Sequence, residues 1–267
     1  MRTPDPGHEV ETDTSALRAT TKRLGRALAA ESNAATSAWW TRYLKGEASF
    51  RGVPMARVRA VTRDWWVAEG LDARDKDARL DAVLDLFAPR TTEDKLAGII
   101  ALAELMIDAL DEDDLPRLAE PFERERLTDW NATDWFAVKV LANLVCEARD
   151  PARCARAIGR WRTAGSRWQR RASLVAFANL ADRGDAAFEG QTELLLSIAD
   201  HLVRDPWRFS QTAVGWVLRE LGVAEPDRVA AFAREHSMRL SREALRNLTQ
   251  KLDPALRKAL RDEHAAR

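Results

Sequence analysis

The sequence predicts an all-α fold. Apolar residues recur at helical spacing along almost the whole chain, as at Leu96, Ile99 and Ile100, and side chains three or four positions apart lie on one face of a helix. No sustained alternation of β-branched and polar residues indicates a strand. Asp-Pro pairs at 150–151, 205–206 and 253–254 supply an N-cap aspartate before a proline that suits the first helical turn. Each pair therefore predicts a helix start.

These signals together predict about twelve helices joined by short loops. In chain order they cover residues 15–30, 34–46, 54–69, 75–87, 92–110, 114–126, 130–147, 151–163, 167–182, 188–203, 206–221 and 226–264, the last with breaks. Thr91 and Asp94 resemble a capping pair for the helix at 92. Helices of this length in consecutive pairs, without a long heptad seam, favour a curved α-solenoid of about six helical hairpins over a coiled coil or a four-helix bundle.

The chain of 267 residues, of which 46% are hydrophobic, is long enough to bury a large core. Residues 1–14 are rich in Pro, Asp, Glu and Thr, which predicts a disordered tail, and residues 15–267 are expected to form a single domain. No long uncharged apolar window and no basic-then-apolar leader occurs. We therefore expect no membrane association and a cytoplasmic location.

The cysteines and histidines are few and scattered. Cys146 and Cys154 are the two cysteines, and the four histidines are distributed along the whole chain. A disulfide framework or a structural zinc site would need a cluster of such residues. We therefore expect chemistry without a metal or another cofactor.

The net charge is zero, but the two halves of the sequence differ in sign. Residues 1–130 carry 19 Lys/Arg and 25 Asp/Glu, and residues 131–267 carry 23 and 17. Residues 151–180 hold seven arginines and no acidic residue. A concentrated basic face attracts phosphates even in a neutral protein. The alternative interpretation is a solvated, arginine-rich helical surface without a ligand.

Tryptophan is unusually frequent, with ten residues against one tyrosine. Most tryptophans are expected to pack between helices. Trp130 and Asp134 lie at positions i and i+4, so a ring and a carboxylate share one helix face and form a candidate site. Trp135 points elsewhere and is expected in the core, together with Val138, Leu141 and Val145.

Two further tryptophans have an arginine one turn away. Trp168 precedes Arg171, and Trp216 precedes Arg219, each at i and i+3. Arginine beside an exposed ring is typical of surfaces that contact phosphates and bases, although arginine stems also cover buried tryptophans. Gly215 would allow another backbone or a ligand to approach closely.

The sequence resembles the DNA alkylation repair glycosylases of the AlkD type, which are built from HEAT-like helical repeats. The resemblance covers most of residues 35–250. Its motifs are residues 42–45 (RYLK), 50–53 (FRGV), 130–134 (WNATD), 168–172 (WQRRA), 211–220 (QTAVGWVLRE) and 241–245 (SREAL). The block at 211–220 is the most specific of them.

The resemblance implies a hydrolase of base excision repair that removes cationic N3- or N7-alkylated purines from double-stranded DNA. It implies that Trp130 and Trp216 face the lesion nucleotide, that Asp134 is the catalytic carboxylate and that Arg171 binds phosphate. Tyr43 matches a further aromatic residue of the substrate site. The expected form is a monomer without cofactors, located in the cytoplasm and associated with the nucleoid when it is bound to DNA.

The neighbouring arginines Arg170, Arg167 and Arg219 are further candidates for phosphate contacts. Asn131 departs from the family pattern, in which an aspartate commonly follows the first tryptophan of the site. Two alternatives therefore stand beside the glycosylase: a HEAT-repeat protein that binds DNA without cleavage, and a scaffold that binds a protein partner.

Overall fold

The structure is a computed structural model that describes residues 6–266, with side chains from residue 17 onwards. Within these residues it contains 15 α-helices, several short 3-10 turns and no strand beyond one isolated bridge between Ser49 and Thr91. Helices pack mainly on near neighbours in the chain, as expected for helical repeats. The predicted all-α, helical-repeat fold class is confirmed.

The chain divides into two compact units, Met1–Ala109 and Leu110–Arg267. Each unit buries its own set of apolar side chains. The single domain over residues 15–267 stays a prediction.

The helices of the first unit are α1 (Pro6–Ala30), α2 (Ala34–Tyr43), α3 (Met55–Ala68), α4 (Lys76–Asp85) and α5 (Thr92–Glu104). α1 packs against α3, α4 and α5. The indole of Trp65 on α3 is buried and donates a hydrogen bond to the Thr20 carbonyl on α1, at 3.2 Å. This bond satisfies the polar end of a core tryptophan.

α1 begins earlier than the sequence predicts. The composition of residues 1–14 predicts a tail, whereas the helix already starts at Pro6. Proline suits the first helical position, since its missing N–H would have no partner there. The part of the predicted tail that precedes Pro6 lies outside the described residues.

A buried carboxylate fixes the loop between α2 and α3. Glu93 on α5 is 2% exposed and accepts hydrogen bonds from the backbone N–H groups of Arg51, Gly52 and Val53, at 3.0, 2.7 and 3.2 Å. Gly52 has φ +83°, and a Cβ there would lie 2.1 Å from the Asn33 carbonyl oxygen. The loop therefore requires glycine at this position. The predicted capping pair of Thr91 and Asp94 does not form: the Thr91 side chain makes no capping hydrogen bond, and Asp94 pairs with Arg51.

The helices of the second unit are α6 (Leu115–Glu123), α7 (Trp130–Phe136), α8 (Ala142–Glu147), α9 (Pro151–Gly159), α10 (Arg167–Val175), α11 (Gln191–Val203), α12 (Arg208–Leu221), α13 (Pro226–Glu235), α14 (Arg242–Leu248) and α15 (Pro254–Ala265). A π-helical turn, Ala137–Leu141, joins α7 to α8. α12 lies against α10, α11 and α14. It therefore forms the centre of this unit.

Two of the three Asp-Pro signals start helices as predicted. Asp150 and Asp253 cap α9 and α15, each with proline in the first turn. The third prediction is wrong by two residues, since α12 begins at Arg208. The carboxylate of Asp205 accepts a hydrogen bond from the Trp207 N–H at 3.0 Å, which forms a local turn instead of a helix cap.

Among the residues that the structure describes, no helix combines the length and apolar character that a membrane span requires. Both cysteines are free thiols, Cys146 exposed and Cys154 buried.

His236 is a buried titratable group at the end of α13. Its side chain is 2% exposed, lies on the Phe232 ring at a centroid distance of 4.3 Å, and places Nε2 at 3.4 Å from Oδ1 of Asp200. Burial lowers the pKa of His236 below its ordinary value. The unfolded chain therefore binds a proton at this residue more tightly than the folded chain.

We expect acidification to destabilise the protein through His236. As the pH falls through the ordinary histidine pKa of about 6.5, protonation favours the unfolded state, so the free energy of unfolding decreases. Urea unfolding across this pH range should show a smaller decrease for His236→Gln than for the wild-type protein. Identical pH dependence of the two proteins would contradict the assignment.

Candidate functional site

α7 begins at a buried cap. The carboxylate of Asp129, 2% exposed, accepts a hydrogen bond from the Ala132 N–H at 2.9 Å. This cap fixes the first turn of α7, which starts with Trp130 and carries Asp134 one turn later. Both side chains are half-buried. The predicted i and i+4 pair therefore lies on a helix that is held firmly at its N-terminus.

Arg171 on α10 holds the Asp134 carboxylate with two parallel hydrogen bonds. Nε lies 2.7 Å from Oδ1, and Nη2 lies 2.8 Å from Oδ2. Nη1 donates to the Phe209 carbonyl at 2.5 Å and to Oγ1 of Thr212 at 3.1 Å. Arg171 is 4% exposed. A planar guanidinium in this geometry sets the orientation of the carboxylate.

An open cleft of about 290 Å³ lies beside this ion pair. Its lining is mainly aromatic and apolar, with one carboxylate and one ammonium group: Trp130, Asn131, Asp134, Trp135, Val138, Lys139 and Trp216. The structure thus brings Trp130, Asp134 and Trp216 into one cleft, in which α7 supplies Trp130 and Trp135 and α12 supplies Trp216.

The core assignment of Trp135 and Val138 is wrong. Both are half-buried and line the cleft, whereas Leu141 and Val145 are buried as expected. Trp135 lies in the last turn of α7, directly after Asp134, and Val138 lies in the π-helical turn that follows. A π turn holds more residues than an α turn, so positions four apart stay on one face instead of drifting around the helix.

The same spacing identifies two cleft residues that the sequence reasoning missed. Asn131, Trp135 and Lys139 follow one another at intervals of four, parallel to Trp130, Asp134 and Val138. The i and i+4 spacing of Asn131, Trp135 and Lys139 is visible in the sequence, and the assignment of Trp135 to the core is what hides this stripe. Lys139 is exposed and places a cation at the cleft.

The other predicted phosphate ligands are paired within the protein. Arg170 is 20% exposed, donates to the Ala164 and Gly165 carbonyls, and lies 3.4 Å from Asp205. Arg219 pairs with Glu220 at 2.7 Å. Residues 151–180 contain no acidic residue. In the folded chain, however, Asp205 from a distant part of the sequence lies beside Arg170.

Arg167 is the most open of the four predicted phosphate ligands. Its side chain is 57% exposed, with Nε 3.7 Å from Oδ2 of Asp205 and its guanidinium 5.7 Å from the centre of the Trp207 ring. Trp168 packs against Trp207 and Phe209 at 4.7 and 5.0 Å, and it does not line the cleft.

Gly215 allows another segment of backbone to approach α12 closely. The sequence alone leaves open whether a backbone segment or a ligand approaches at this glycine. A Cβ at this position would lie 2.9 Å from the Ala244 carbonyl oxygen on α14. Gly215 therefore permits the packing of α12 on α14 and presents Trp216 next to it.

Tyr43 belongs to the first unit, at the end of α2, where it is 52% exposed and stacked on Trp39.

A pair of alanine substitutions separates a cleft tryptophan from a core tryptophan. Trp130→Ala should cost about 1–2 kcal/mol, because the side chain is only half-buried. Trp161→Ala is the matched control and should cost about 3–5 kcal/mol, since Trp161 is buried against Phe122. Urea unfolding measures both values. Equal costs would assign Trp130 to the core.

The cleft combines a carboxylate of fixed orientation with three indole rings and an ammonium group. Such a set can stabilise positive charge on a bound molecule and hold flat rings or sugars. Among the described residues, no group of three or more His, Cys, Asp and Glu side chains is arranged to hold a metal ion.

The comparisons with known proteins give one family model and a similar fold. The family model described as DNA alkylation repair enzyme matches residues 24–252. A solved structure from Enterococcus faecalis, described as a predicted DNA alkylation repair enzyme, is similar with a TM-score of 0.69 and 19% identity over 84% of this chain and 98% of that chain. A search of the curated proteins found no match. The family supports a role in DNA repair, and the chain belongs to the DNA alkylation repair enzyme family.

Proposed function

We propose that the protein is a DNA glycosylase that hydrolyses the N-glycosidic bond of cationic N3- or N7-alkylated purines in double-stranded DNA. One observation carries the proposal: Arg171 holds the Asp134 carboxylate in a fixed orientation at a cleft that also contains Trp130 and Trp216. Membership of a DNA alkylation repair family makes damaged DNA the expected ligand of this cleft.

The chemistry of the substrate explains why one carboxylate suffices. An N3- or N7-alkylated purine already carries a positive charge, so it leaves without a general acid. Positive charge then develops on the deoxyribose as an oxocarbenium ion, and a fixed carboxylate stabilises that charge. Each oxygen of Asp134 accepts one hydrogen bond from Arg171 and keeps a further lone pair for the sugar or for the attacking water.

The tryptophans contribute in the same transition state. The face of an indole attracts a cation, so Trp130 and Trp216 stabilise a cationic base or sugar placed between them. The cleft is open and small, which suits contact with a nucleotide from one side. The proposed reaction needs no metal or other cofactor, because the leaving group is activated by its own charge. The proposed DNA-bound form is a monomer.

We expect Arg167 to contribute a phosphate contact. Its exposed side chain makes only a long ion pair with Asp205. Arg167→Ala should weaken binding to duplex DNA and reduce the slope of log affinity against log salt by about one unit. Arg204→Ala is the matched control, since Arg204 is also exposed and paired with Asp200 on the same helix. An unchanged slope for Arg167→Ala would limit this arginine to packing on Trp207.

Arg171, Arg170 and Arg219 remain proposed phosphate ligands. Each would have to exchange a protein partner for phosphate, and Arg171 has the least freedom to do so. In the proposed complex Arg171 therefore acts first by positioning Asp134.

A second candidate function is DNA binding without cleavage. Arg171 engages both oxygens of Asp134 and neutralises part of its charge, which would reduce its effect on an oxocarbenium ion. Asn131 also places a neutral residue in the cleft next to Trp130. In this case the protein would bind lesion DNA and leave the glycosidic bond intact.

The test of substrate class is base release from three duplexes, which carry 7-methylguanine, 3-methyladenine or a bulky N3-adenine adduct. We expect release of the alkylated base and an abasic site from at least one of them. Release from the methylated duplexes would place the natural lesion among simple adducts, and release from the bulky adduct alone would place it among large ones. Binding of all three without release would support the second candidate.

A further inference from the structure

Lysine is rare in the second unit. Residues 110–267 contain 26 basic side chains, and only three of them are lysines. Lys251 and Lys258 each form an ion pair with a carboxylate. Within the described residues of this unit, Lys139 is the one lysine without an ion-pair partner. Its amine is therefore not held by an acidic side chain.

Lys139 lies at the cleft of the second unit. It belongs to the π-helical turn Ala137–Leu141 and follows Trp135 at an interval of four. Its side chain is exposed, and it lines the cleft together with Asp134. The cleft has a volume of about 290 Å³. Because the cleft is this small, the flexible four-carbon stem of lysine can bring its amine to a sugar held there.

The choice of lysine at this position is informative. The proposed substrate base is a cation, so an ammonium group does not attract it. Arginine stays protonated and binds phosphate with two parallel hydrogen bonds, and this unit uses arginine at its other 23 basic positions. Lysine can instead lose its proton and add to a carbonyl carbon. An abasic site offers such a carbon, because its deoxyribose opens to an aldehyde at C1′.

We propose that the protein also cleaves the DNA strand at abasic sites, with Lys139 as the nucleophile. This lyase activity goes beyond base excision, and it rests on the proposed function only in placing a deoxyribose in the cleft. Its substrate is the site that excision leaves behind, or an abasic site formed by spontaneous loss of a base.

The reaction begins with the uncharged amine of Lys139. Nζ adds to C1′ of the open-chain aldehyde, and the carbinolamine expels water to give a protonated imine. Asp134 keeps lone pairs beside its hydrogen bonds to Arg171, and it removes a proton from C2′. The electron pair of this C–H bond moves toward the imine nitrogen and forms an enamine. The enamine returns the pair and expels the 3′ phosphate from C3′.

Hydrolysis of the imine completes the reaction. Water adds to C1′, the bond between Nζ and C1′ breaks, and the amine of Lys139 is restored. One strand fragment ends in an α,β-unsaturated aldehyde and the other in a 5′ phosphate. The water taken up here balances the water expelled earlier, and the C2′ proton passes through Asp134 to solvent. No net oxidation or reduction takes place, so no further reactant is required.

A duplex with a preformed abasic site tests the proposal without base excision. The site is made by removal of uracil from a labelled duplex, and sodium borohydride reduces any imine to a stable amine. We expect the wild-type protein to become attached to the DNA at Lys139, seen by denaturing gel and peptide mass spectrometry. Without borohydride it should cleave the strand. A duplex with a tetrahydrofuran site, which has no aldehyde, should give neither product.

Lys139→Arg separates the nucleophile from its charge. The guanidinium keeps a positive charge at the cleft but forms no imine, so attachment and cleavage should fall roughly tenfold or more. Because Lys139 is exposed, the variant is expected to fold like the wild type. Lys251→Arg is the matched control, since Lys251 is a paired lysine of the same unit outside the cleft. It should attach and cleave at the wild-type level.

Attachment and cleavage by Lys139→Arg at the wild-type level would overturn the proposal. A wild-type protein that binds the abasic duplex but neither attaches to it nor cleaves it would overturn the proposal as well. Release of 7-methylguanine is measured separately, so a failure of base excision leaves this result unaffected. In that assay a cleaved strand is counted together with an intact abasic site, because each derives from one released base.

Discussion

Asp134→Asn should slow base excision on the order of 100-fold or more while binding of lesion DNA is nearly preserved. The amide has the size of the carboxylate but no charge to stabilise an oxocarbenium ion. The exchange keeps the size of the side chain, but it leaves the buried Arg171 without its counter-charge, so we also expect a lower free energy of unfolding, which urea unfolding of the variant measures separately from the rate. Single-turnover excision and equilibrium binding, measured on the same duplex, separate the two effects.

The control for this variant is Asp200→Asn. Asp200 is also paired with an arginine on its own helix, but its side chain is 40% exposed and lies outside the cleft. We expect wild-type excision from this control. If Asp134→Asn excised the lesion at the wild-type rate, Asp134 would be a structural partner of Arg171 only.

Arg171→Met should lower the free energy of unfolding by about 3 kcal/mol. The side chain of Arg171 is 5% exposed, and its loss leaves the Asp134 carboxylate and the Phe209 carbonyl without their shared donor. Breaking a buried ion pair from one side costs more than the pair itself contributes, because the remaining charge stays desolvated. Excision should also fall, since the carboxylate loses its fixed orientation. Thermal and urea unfolding provide the measurement.

Arg219→Met is the matched control for this stability effect. Arg219 also pairs with a carboxylate, but its side chain is 28% exposed and Glu220 keeps a second partner in Lys251. The control should cost less than about 1 kcal/mol. A small cost for Arg171→Met would mean that Asp134 is well solvated, and the positioning role of Arg171 would then be wrong.

The sequence predicts what is local. Asp150 and Asp253 act as caps because a cap needs only the residues of the next turn, and both are found where the sequence places them. The pair Trp130 and Asp134 shares a helix face for the same reason. The placement of Trp216 in the same cleft as this pair requires the packing of the second unit, and only the resemblance to a family pointed to it.

Interactions between distant residues are what the sequence does not predict. Arg171 pairs with Asp134 across 37 positions, so its local stretch of arginines says nothing about its partner. Asp205 likewise approaches Arg167 and Arg170 through the fold. Val138 lies within the π-helical turn, where residues 137–141 are ordinary apolar helix formers apart from Lys139, so α-helical periodicity assigns it to the core. Trp135 lies in the last turn of α7 and lines the cleft, although tryptophan is a typical core residue.

The fate of the base in a single turnover tests whether this chain hydrolyses a glycosidic bond. A duplex that contains one 7-methylguanine is mixed with an excess of the wild-type protein, and free base and abasic sites are quantified over time. We expect both products to appear in equal amounts, at a rate well above spontaneous depurination. Saturated binding of the duplex with no release above the spontaneous rate would show that the chain is not a glycosylase for this lesion.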